Sequence, residues 1–285
     1  MNRCRVNKEK IKPTDGFTIG EMVIVIAVIA ILAALIAPLA VNVVEQKRIN
    51  TCKEELDIIK NSIIGDSSLV QGGTRSSYGF VGDIGALPIS LDELVRRFQQ
   101  PGDTLTRLAY PQNSGYGWYW GWRGPYVSEV VDPWGRNYYY QNNWPTGTPT
   151  FQQLPTILAA IWSAGPDGVN NNGTNDDPVV YIRSDEAFSQ VSGNTFDRDY
   201  VMVQFTGQAD PPGITTPITL DYPNGTSISH ASLNAGYGTP PIYFFNAPIP
   251  EGIRSIRFNP STAAQTLLIY IANGPMTVIN LVDPL

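Results

Sequence analysis

The sequence is poor in histidine, cysteine and charge: its 285 residues include 1 His and 2 Cys, and only 15% are Asp, Glu, Lys or Arg. A single His excludes sites that need several, such as multi-His zinc centres and His-pair proton relays. The formal net charge of −6 and the pI of about 4.8 argue against a nucleic-acid-binding protein. Hydrophobic residues make up 42% of the chain and aromatic residues 11%, which excludes a disordered protein. The composition therefore predicts a folded protein with a buried core.

A long uncharged segment follows a basic leader at the N-terminus. Residues 1–16 contain five Lys or Arg and two acidic residues, whereas residues 22–44 contain no charge. A membrane-spanning helix needs about 20 apolar residues, and basic residues ahead of it favour a cytoplasmic N-terminus. A cleaved secretory signal is disfavoured, because the apolar region of such signals is shorter than residues 22–44. In addition, Pro38 follows Ala37, which is the best small residue for a cut. We therefore expect residues 17–44 to be the membrane part of an N-terminal helix, with the rest of the chain outside the cytoplasm.

Glu21 places a carboxylate in the first turn of this apolar segment. An ionisable group at such a depth costs several kcal/mol unless it is paired, so a partner is expected. Within the chain, the nearby cation would be an α-amino group, which exists there only after proteolysis. Cleavage between Gly16 and Phe17 would create that amine close to Glu21.

The residues around this position carry a family resemblance. Residues 16–21, Gly-Phe-Thr-Ile-Gly-Glu, followed by the apolar run resemble the class III signal of type IV prepilins and of type II secretion pseudopilins. The resemblance implies that a prepilin peptidase cuts between Gly16 and Phe17 and that Phe17 is then N-methylated. It also implies that Glu21 takes part in the assembly of a helical filament. Pro38 lies where pilins often have a helix-bending proline.

A second pattern extends the helix beyond the uncharged run. Apolar residues recur at spacings of three and four, which predicts one apolar stripe that packs on a sheet. The residues of this stripe are Ile49, Cys52, Leu56, Ile59 and Ile63. A coiled coil with its own kind is the alternative, and the shortness of the stripe disfavours it. We predict a helix over residues 17–64, with Cys52 as a small buried hydrophobe rather than a nucleophile.

Aromatic residues are dense between residues 110 and 144, where five of the six Trp lie. Two interpretations stay open: rings that fill the core of a small sheet, which we favour, and a flat face that binds sugars. Inside this region, residues 132–140 (Asp-Pro-Trp-Gly-Arg-Asn-Tyr-Tyr-Tyr) resemble a signature of the major pseudopilins, in which a turn leads into a strand.

Residues 161–177 form a segment rich in Asp, Asn and Gly. The hard cation Ca²⁺ takes about six to eight oxygen ligands of this kind. The segment is not an EF-hand, because Val169 occupies the third position and no closing Glu follows. It resembles the calcium loop of major pseudopilins, and this resemblance implies a structural Ca²⁺ with Asp167, Asp176 and Asp177 as side-chain ligands. The alternative is a turn that binds no metal.

The last hundred residues have no counterpart in an ordinary major pseudopilin. Six short runs of β-forming residues, separated by turn signals, predict a small antiparallel sandwich. We expect it to be a partner-binding or tip module. His230 lies in a predicted loop without a second His or a Cys nearby, so we expect it to have no function.

The predicted fold class is α+β: a pilin-like long N-terminal transmembrane helix packed on a small antiparallel sheet, followed by a C-terminal all-β domain. Four segments are predicted. They are a prepilin leader peptide (1–16), the N-terminal helix (17–64), a pseudopilin-like globular head with the Asp-rich loop (65–185) and a β-rich module (186–285).

The resemblance implies a structural filament subunit, a pseudopilin of a type II secretion-like system, rather than an enzyme. The first alternative is a minor type IV pilus subunit or adhesin that displays its β-domain at a tip. The second is a membrane-anchored protein that binds or acts on glycans. The expected partners are prepilin peptidase, other pilin or pseudopilin subunits, the inner-membrane assembly platform and inner-membrane lipid, and no nucleic acid. The expected location is the bacterial inner membrane, with the head in the periplasm or in an extracytoplasmic filament.

Overall fold

The computed structural model describes most of the chain in ten stretches. These are residue 16 and residues 18–71, 74–142, 157–189, 201–206, 215–236, 242–245, 249–258, 265–271 and 277–282. The chain divides into two compact units, residues 1–47 and residues 48–285.

A long helix, α1, runs Ile19–Ile64, where the sequence predicted a helix over residues 17–64. It ends before Gly65, whose φ of +81° lies in the left-handed region. A Cβ on Gly65 would lie 2.4 Å from the Ser77 backbone oxygen, so this helix end requires glycine. Pro38 lies inside α1, but the side chains of residues 35–40 are outside the description. The bend at Pro38 stays a prediction.

The predicted membrane span of residues 17–44 is wrong. Among the described residues, no helix is both long and apolar enough to cross a lipid bilayer. The predicted transmembrane helix in the fold class is therefore withdrawn, and this finding does not support the predicted single-pass placement in the inner membrane.

The second unit contains short helices and strands beyond α1. The helices are α2 (Gly79–Ile84), α3 (Asp92–Val95) and α4 (Ser184–Ala187). The strands up to residue 189 are β1 (Val70–Gln71), β2 (Thr74–Arg75), β3 (Gln112–Asn113), β4 (Tyr119–Trp120), β5 (Tyr139–Asn142), β6 (Ile157–Trp162), β7 (Val179–Arg183) and β8 (Phe188–Ser189). The strands after residue 200 are β9 (Val201–Thr206), β10 (Thr215–Pro223), β11 (Ile228–Gly236), β12 (Ile242–Phe244), β13 (Ile249–Pro250), β14 (Gly252–Phe258), β15 (Gln265–Ile271) and β16 (Thr277–Val282).

These strands pair into several small sheets. An antiparallel sheet has the order β5–β6–β7, and a second antiparallel sheet has the order β11–β10–β14–β15. A third sheet has the order β12–β9–β16, in which β16 runs parallel to β9. The pairs β1–β2, β3–β4 and β8–β13 complete the described pairing. The C-terminal strands therefore include a parallel pair, whereas the sequence predicted an antiparallel sandwich.

The second half of α1 packs on the β5–β6–β7 sheet. Cys52 and Ile63 are fully buried, and Leu56 and Ile59 are almost so. Their cluster includes Leu158, Ile161 and Ile182 of the sheet. Fully burying such an aliphatic side chain contributes about 1.5–3 kcal/mol, so this stripe is a principal source of stability for the unit. Burial also raises the pKa of the Cys52 thiol, which keeps it neutral and unreactive.

The four-stranded sheet has an apolar face and a polar face. The apolar face contributes Ile218, Leu220, Ile256, Phe258 and Ile271 to a buried cluster that also contains Phe245 and Ile249 from outside the sheet. On the polar face, the buried Asp221 carboxylate accepts two hydrogen bonds of 2.8 Å from Arg257. His230 lies opposite Asp221 in β11, with its Nδ1 2.6 Å from Asp221 Oδ1. The predicted loop at His230 is therefore wrong, because the small and polar residues of β11 hide the strand from a periodicity analysis.

Buried charged side chains connect residues 79–126 to β10 and β14. Arg107 Nε lies 2.8 Å from Glu93 Oε1, and both side chains are almost completely buried. Arg107 also donates from Nη1 to the Gly225 oxygen at 2.9 Å, in the turn between β10 and β11. Arg254 in β14 donates from Nη2 to the Gly82 oxygen of α2 at 3.2 Å. These contacts fix the position of the four-stranded sheet within the second unit.

Loss of the Arg107 guanidinium is expected to be costly. Arg107→Met leaves the Glu93 carboxylate buried without its cation, which should lower the free energy of unfolding by about 3–5 kcal/mol. The double variant Arg107→Met with Glu93→Leu should recover much of that loss, because no buried charge remains. Arg96→Met is the control, because the Arg96 side chain is half exposed in its pair with Asp103 and its loss should change stability far less. Urea unfolding curves measure all three, and equal losses for Arg107→Met and Arg96→Met would contradict the assignment.

Candidate functional site

The predicted processing site lies at the start of the described chain. Gly16 is exposed, and no described residue lies within 4 Å of the position that a Cβ would take there. Phe17, the predicted new N-terminus, lies outside the described residues. Cleavage between Gly16 and Phe17 stays a prediction.

Thr18 and Glu21 form a capping box at the start of α1. The Glu21 carboxylate accepts a hydrogen bond of 2.8 Å from the Thr18 N–H and one of 2.9 Å from the Thr18 hydroxyl. In return, the Thr18 hydroxyl accepts the Glu21 N–H at 3.2 Å. This reciprocal pairing satisfies two free N–H groups of the first helical turn. The Thr-x-x-Glu spacing is a known signal for this motif, and the sequence analysis missed it because it considered only a cation as a partner for Glu21.

The capping box also affects the charge of Glu21. The two hydrogen bonds from Thr18 lower the pKa of the Glu21 carboxyl group, so it is ionised at neutral pH. A cut between residues 16 and 17 leaves the Thr18 amide N–H intact, and the capping box is therefore compatible with the predicted processing. A new amine on Phe17 would lie next to a carboxylate that is already held in place.

The first part of α1 exposes apolar side chains on every side of the helix. The exposed fractions are 65% for Ile24, 50% for Val28 and 62% for Ile31. The first four residues of this surface that carry large side chains are Ile19, Met22, Val23 and Ile24, and all are at least half exposed. A helix that is apolar all round is normally buried by other chains or other elements. No described element of the first unit buries these side chains.

The Asp-rich loop connects β6 to β7 and is centred on Asp177. This side chain is 5% exposed. Its Oδ2 accepts the N–H groups of Asn171 at 2.8 Å and Gly173 at 3.1 Å. Its Oδ1 is buried and has no hydrogen-bond partner among the described residues. A buried carboxylate oxygen without a donor is the strongest feature of this loop that fits a bound cation.

The other two predicted ligands lie elsewhere in the loop. Asp167 is exposed, and its Oδ1 accepts the Val169 N–H at 2.8 Å in an Asx turn. Asp176 is exposed as well, beside Gly165. Among the described residues, no group of three or more His, Cys, Asp or Glu side chains is placed to hold a metal ion. The structure thus does not bring the three predicted ligands together as one set of side chains.

The Asp-Pro-Trp-Gly turn (residues 132–135) is hydrogen-bonded to the Asp-rich loop. The buried Asp132 accepts the Ser163 hydroxyl at 2.6 Å through Oδ2 and the Arg136 N–H at 2.8 Å through Oδ1. The Arg136 guanidinium donates to the Gly165 oxygen at the first turn of the loop. The link between Asp132 and Ser163 joins residues far apart in sequence, and no local signal predicts it.

The aromatic region divides between core and surface. Trp118, Trp120 and Tyr138 are buried, whereas Tyr119 is 52% exposed and Tyr110 is 40% exposed. Trp144 lies outside the described residues. The buried rings therefore fit the interpretation as core, and the exposed rings fit the interpretation as a sugar-binding face.

No protein-family model, no curated protein and no solved structure matches this chain.

The calcium prediction is testable on the full chain. We propose that Ca²⁺ binds at Asp177 Oδ1, in which case Ca²⁺ should raise the melting temperature and EDTA should reverse the shift. Asp177→Asn removes the charge at nearly constant volume and should abolish the shift. Asp57→Asn, which changes an exposed carboxylate on α1, should leave the shift intact. Asp167→Ala should also abolish the shift if Asp167 coordinates the ion. A melting curve that neither Ca²⁺ nor EDTA changes would remove the site.

Proposed function

We propose that this chain is a structural filament subunit, a pseudopilin of a type II secretion-like system. In this proposal prepilin peptidase removes residues 1–16, and Phe17 becomes the methylated N-terminus. The subunit then assembles with other subunits, at an inner-membrane assembly platform, into an extracytoplasmic fibre. The proposal concerns assembly through α1 and does not depend on a membrane span.

The observation that carries the proposal is the apolar surface of α1 between residues 19 and 34. These side chains are exposed around the whole circumference of the helix, so contact with a single neighbouring element would leave part of the surface in water. A helical filament solves this problem, because the same segment of several subunits surrounds each copy. Burial contributes about 25 cal/mol per Å² of apolar surface removed from water, which provides the driving force for assembly.

Glu21 supports the same proposal through its charge. It is ionised and lies at the edge of the apolar surface, so packing of neighbouring helices would remove it from water. A buried carboxylate is destabilising unless a cation pairs with it. The amine of Phe17 on a neighbouring processed subunit has the right charge, and it forms only after the leader has been removed. Processing and assembly would therefore be coupled through this one pair.

A minor type IV pilus subunit or adhesin is the alternative function. It is favoured by the β-rich residues 201–282, which contain the four-stranded sheet and the β12–β9–β16 sheet. A major subunit needs only the helix and a compact head, whereas a tip subunit carries additional binding surface. The two functions share the processing site and α1, and they differ in the number of copies per filament.

The charge of Glu21 is the part of this proposal that a single substitution tests. Glu21→Gln keeps a side chain that can still form the capping box, so α1 should begin at the same residue. It removes the charge that pairs with the neighbouring amine, so incorporation into filaments should fall by about tenfold or more. Sheared filaments from cells that express the complete assembly system are quantified by immunoblot and viewed by negative-stain microscopy.

A matched control and a processing check accompany this variant. Glu54→Gln removes an exposed carboxylate from the same helix and should assemble normally. The mass of the Glu21→Gln chain should show removal of the leader, so that a loss of filaments reports on assembly. Equal filament yields from Glu21→Gln, Glu54→Gln and the unaltered chain would disprove the role of Glu21.

A further inference from the structure

A cleft with a volume of about 350 Å³ opens on the second unit. Its walls come from the segment ahead of α2, from residues 119–126 and from β14 and β15. The volume lies at the lower end of the range of about 300–1,000 Å³ that is typical of small-molecule sites. The cleft is distinct from the start of α1 and from the Asp-rich loop, and the proposed filament function does not use it.

Tyrosine rings form the sides of this cleft. Tyr119 from β4 is 52% exposed and Tyr270 from β15 is 53% exposed. Tyr126 also lines the cleft and is half-buried. The Tyr110 ring contacts Tyr119 edge to face, with a centroid distance of 6.5 Å. Each ring offers a flat apolar surface and a hydroxyl group, a combination that suits a ligand with both C–H faces and hydroxyl groups. Tyr110 and Tyr119 belong to the aromatic region noted in the sequence, whereas Tyr270 comes from the C-terminal strands.

Asp83 and Arg123, which both line the cleft, form an ion pair of defined geometry. Asp83 Oδ1 lies 3.1 Å from Arg123 Nε, and Asp83 Oδ2 accepts the Tyr126 hydroxyl at 2.9 Å. The Arg123 guanidinium stacks on the Tyr110 ring at 4.1 Å, which restricts its rotamers. Arg123 remains 47% exposed, so it keeps donors that face the solvent. The cleft thus presents a carboxylate acceptor next to guanidinium donors, as two adjacent hydroxyl groups of a ligand would require.

The charges that a ligand would meet in this cleft cancel. Asp83 carries one negative charge and Arg123 one positive charge. Burial raises the pKa of Asp83 to about 6, so it is ionised at neutral pH. Arg254 also lines the cleft, and the nearby Glu251 carboxylate offsets its positive charge. Its guanidinium is buried and donates to the backbone oxygens of Pro250, Ile253 and Gly82. An anionic or cationic ligand would find no net opposite charge to offset its lost hydration.

We propose that this cleft binds a neutral sugar of one or two pyranose rings. The C–H faces of the sugar would pack on Tyr119 and Tyr270, and its hydroxyl groups would exchange hydrogen bonds with Asp83 and Arg123. The small volume, the flat aromatic walls and the cancelled charges all favour such a ligand over a peptide, a nucleotide or a phosphate. This site would give the chain a glycan-binding activity in addition to assembly.

Isothermal titration calorimetry of the full chain with maltose, cellobiose and N,N′-diacetylchitobiose tests the proposal. At least one of the three should bind. Tyr119→Ala and Tyr270→Ala should each weaken that binding by about tenfold, as expected for the loss of a stacking surface. Asp83→Asn should weaken it at least as much, because the carboxylate acceptor is lost. Circular dichroism and a melting curve for each variant confirm that the fold is retained.

The controls separate this cleft from the other exposed rings. Tyr139→Ala removes a tyrosine that is 39% exposed and stacks on Trp162 outside the cleft, and it should leave the affinity unchanged. Glucosamine and glucose 6-phosphate test the charge argument and should bind no more tightly than glucose. The proposal is overturned if none of the three disaccharides binds or if Tyr119→Ala and Tyr270→Ala both leave the affinity unchanged. Tighter binding of either charged sugar also overturns it.

Discussion

The packing of the second half of α1 on the β5–β6–β7 sheet determines which part of the helix is buried within its own chain. Cys52, Leu56 and Ile63 occupy one stripe of the helix and are almost completely buried. The stripe uses one side of α1 only, so it commits this half of the helix to the core. In the preceding half, between residues 19 and 34, apolar residues surround the helix and remain exposed. One continuous helix thus has one half whose apolar side chains are buried within its own chain and another half whose apolar side chains are exposed. The exposed half is the basis of the proposed role in assembly.

Polar side chains in the second unit determine geometry rather than adding large amounts of stability. Arg107 joins Glu93 to the Gly225 turn, and Arg254 joins β14 to α2 through Gly82. Burying such charges is costly, and apolar residues of similar size are often at least as stabilising. What these charges provide is a defined position for β14 next to α2. That position creates the cleft that contains Asp83, so the buried arginines and the proposed sugar site are linked by geometry.

Some of these features can be predicted from the sequence, and others cannot. The stripe around Leu56 follows from its spacing, because each position contributes to one face whatever the rest of the chain does. The capping box of Thr18 and Glu21 is also local and was available from the spacing, although the search for a cation obscured it. The membrane span was predicted from the length of the apolar, uncharged run and from the basic residues ahead of it, and the structure did not support it. The proximity of Asp83 and Arg254 results from tertiary packing between distant segments, so no local pattern could have predicted the cleft.

We propose that α1 becomes competent for assembly when residues 1–16 are removed. Intact mass spectrometry of the unaltered chain, isolated from the cells that naturally produce it, measures this processing. We expect a mass that corresponds to a chain starting at Phe17 with a methylated amine. A chain that still starts at Met1, or one that has lost the apolar part of α1, would disprove the proposal.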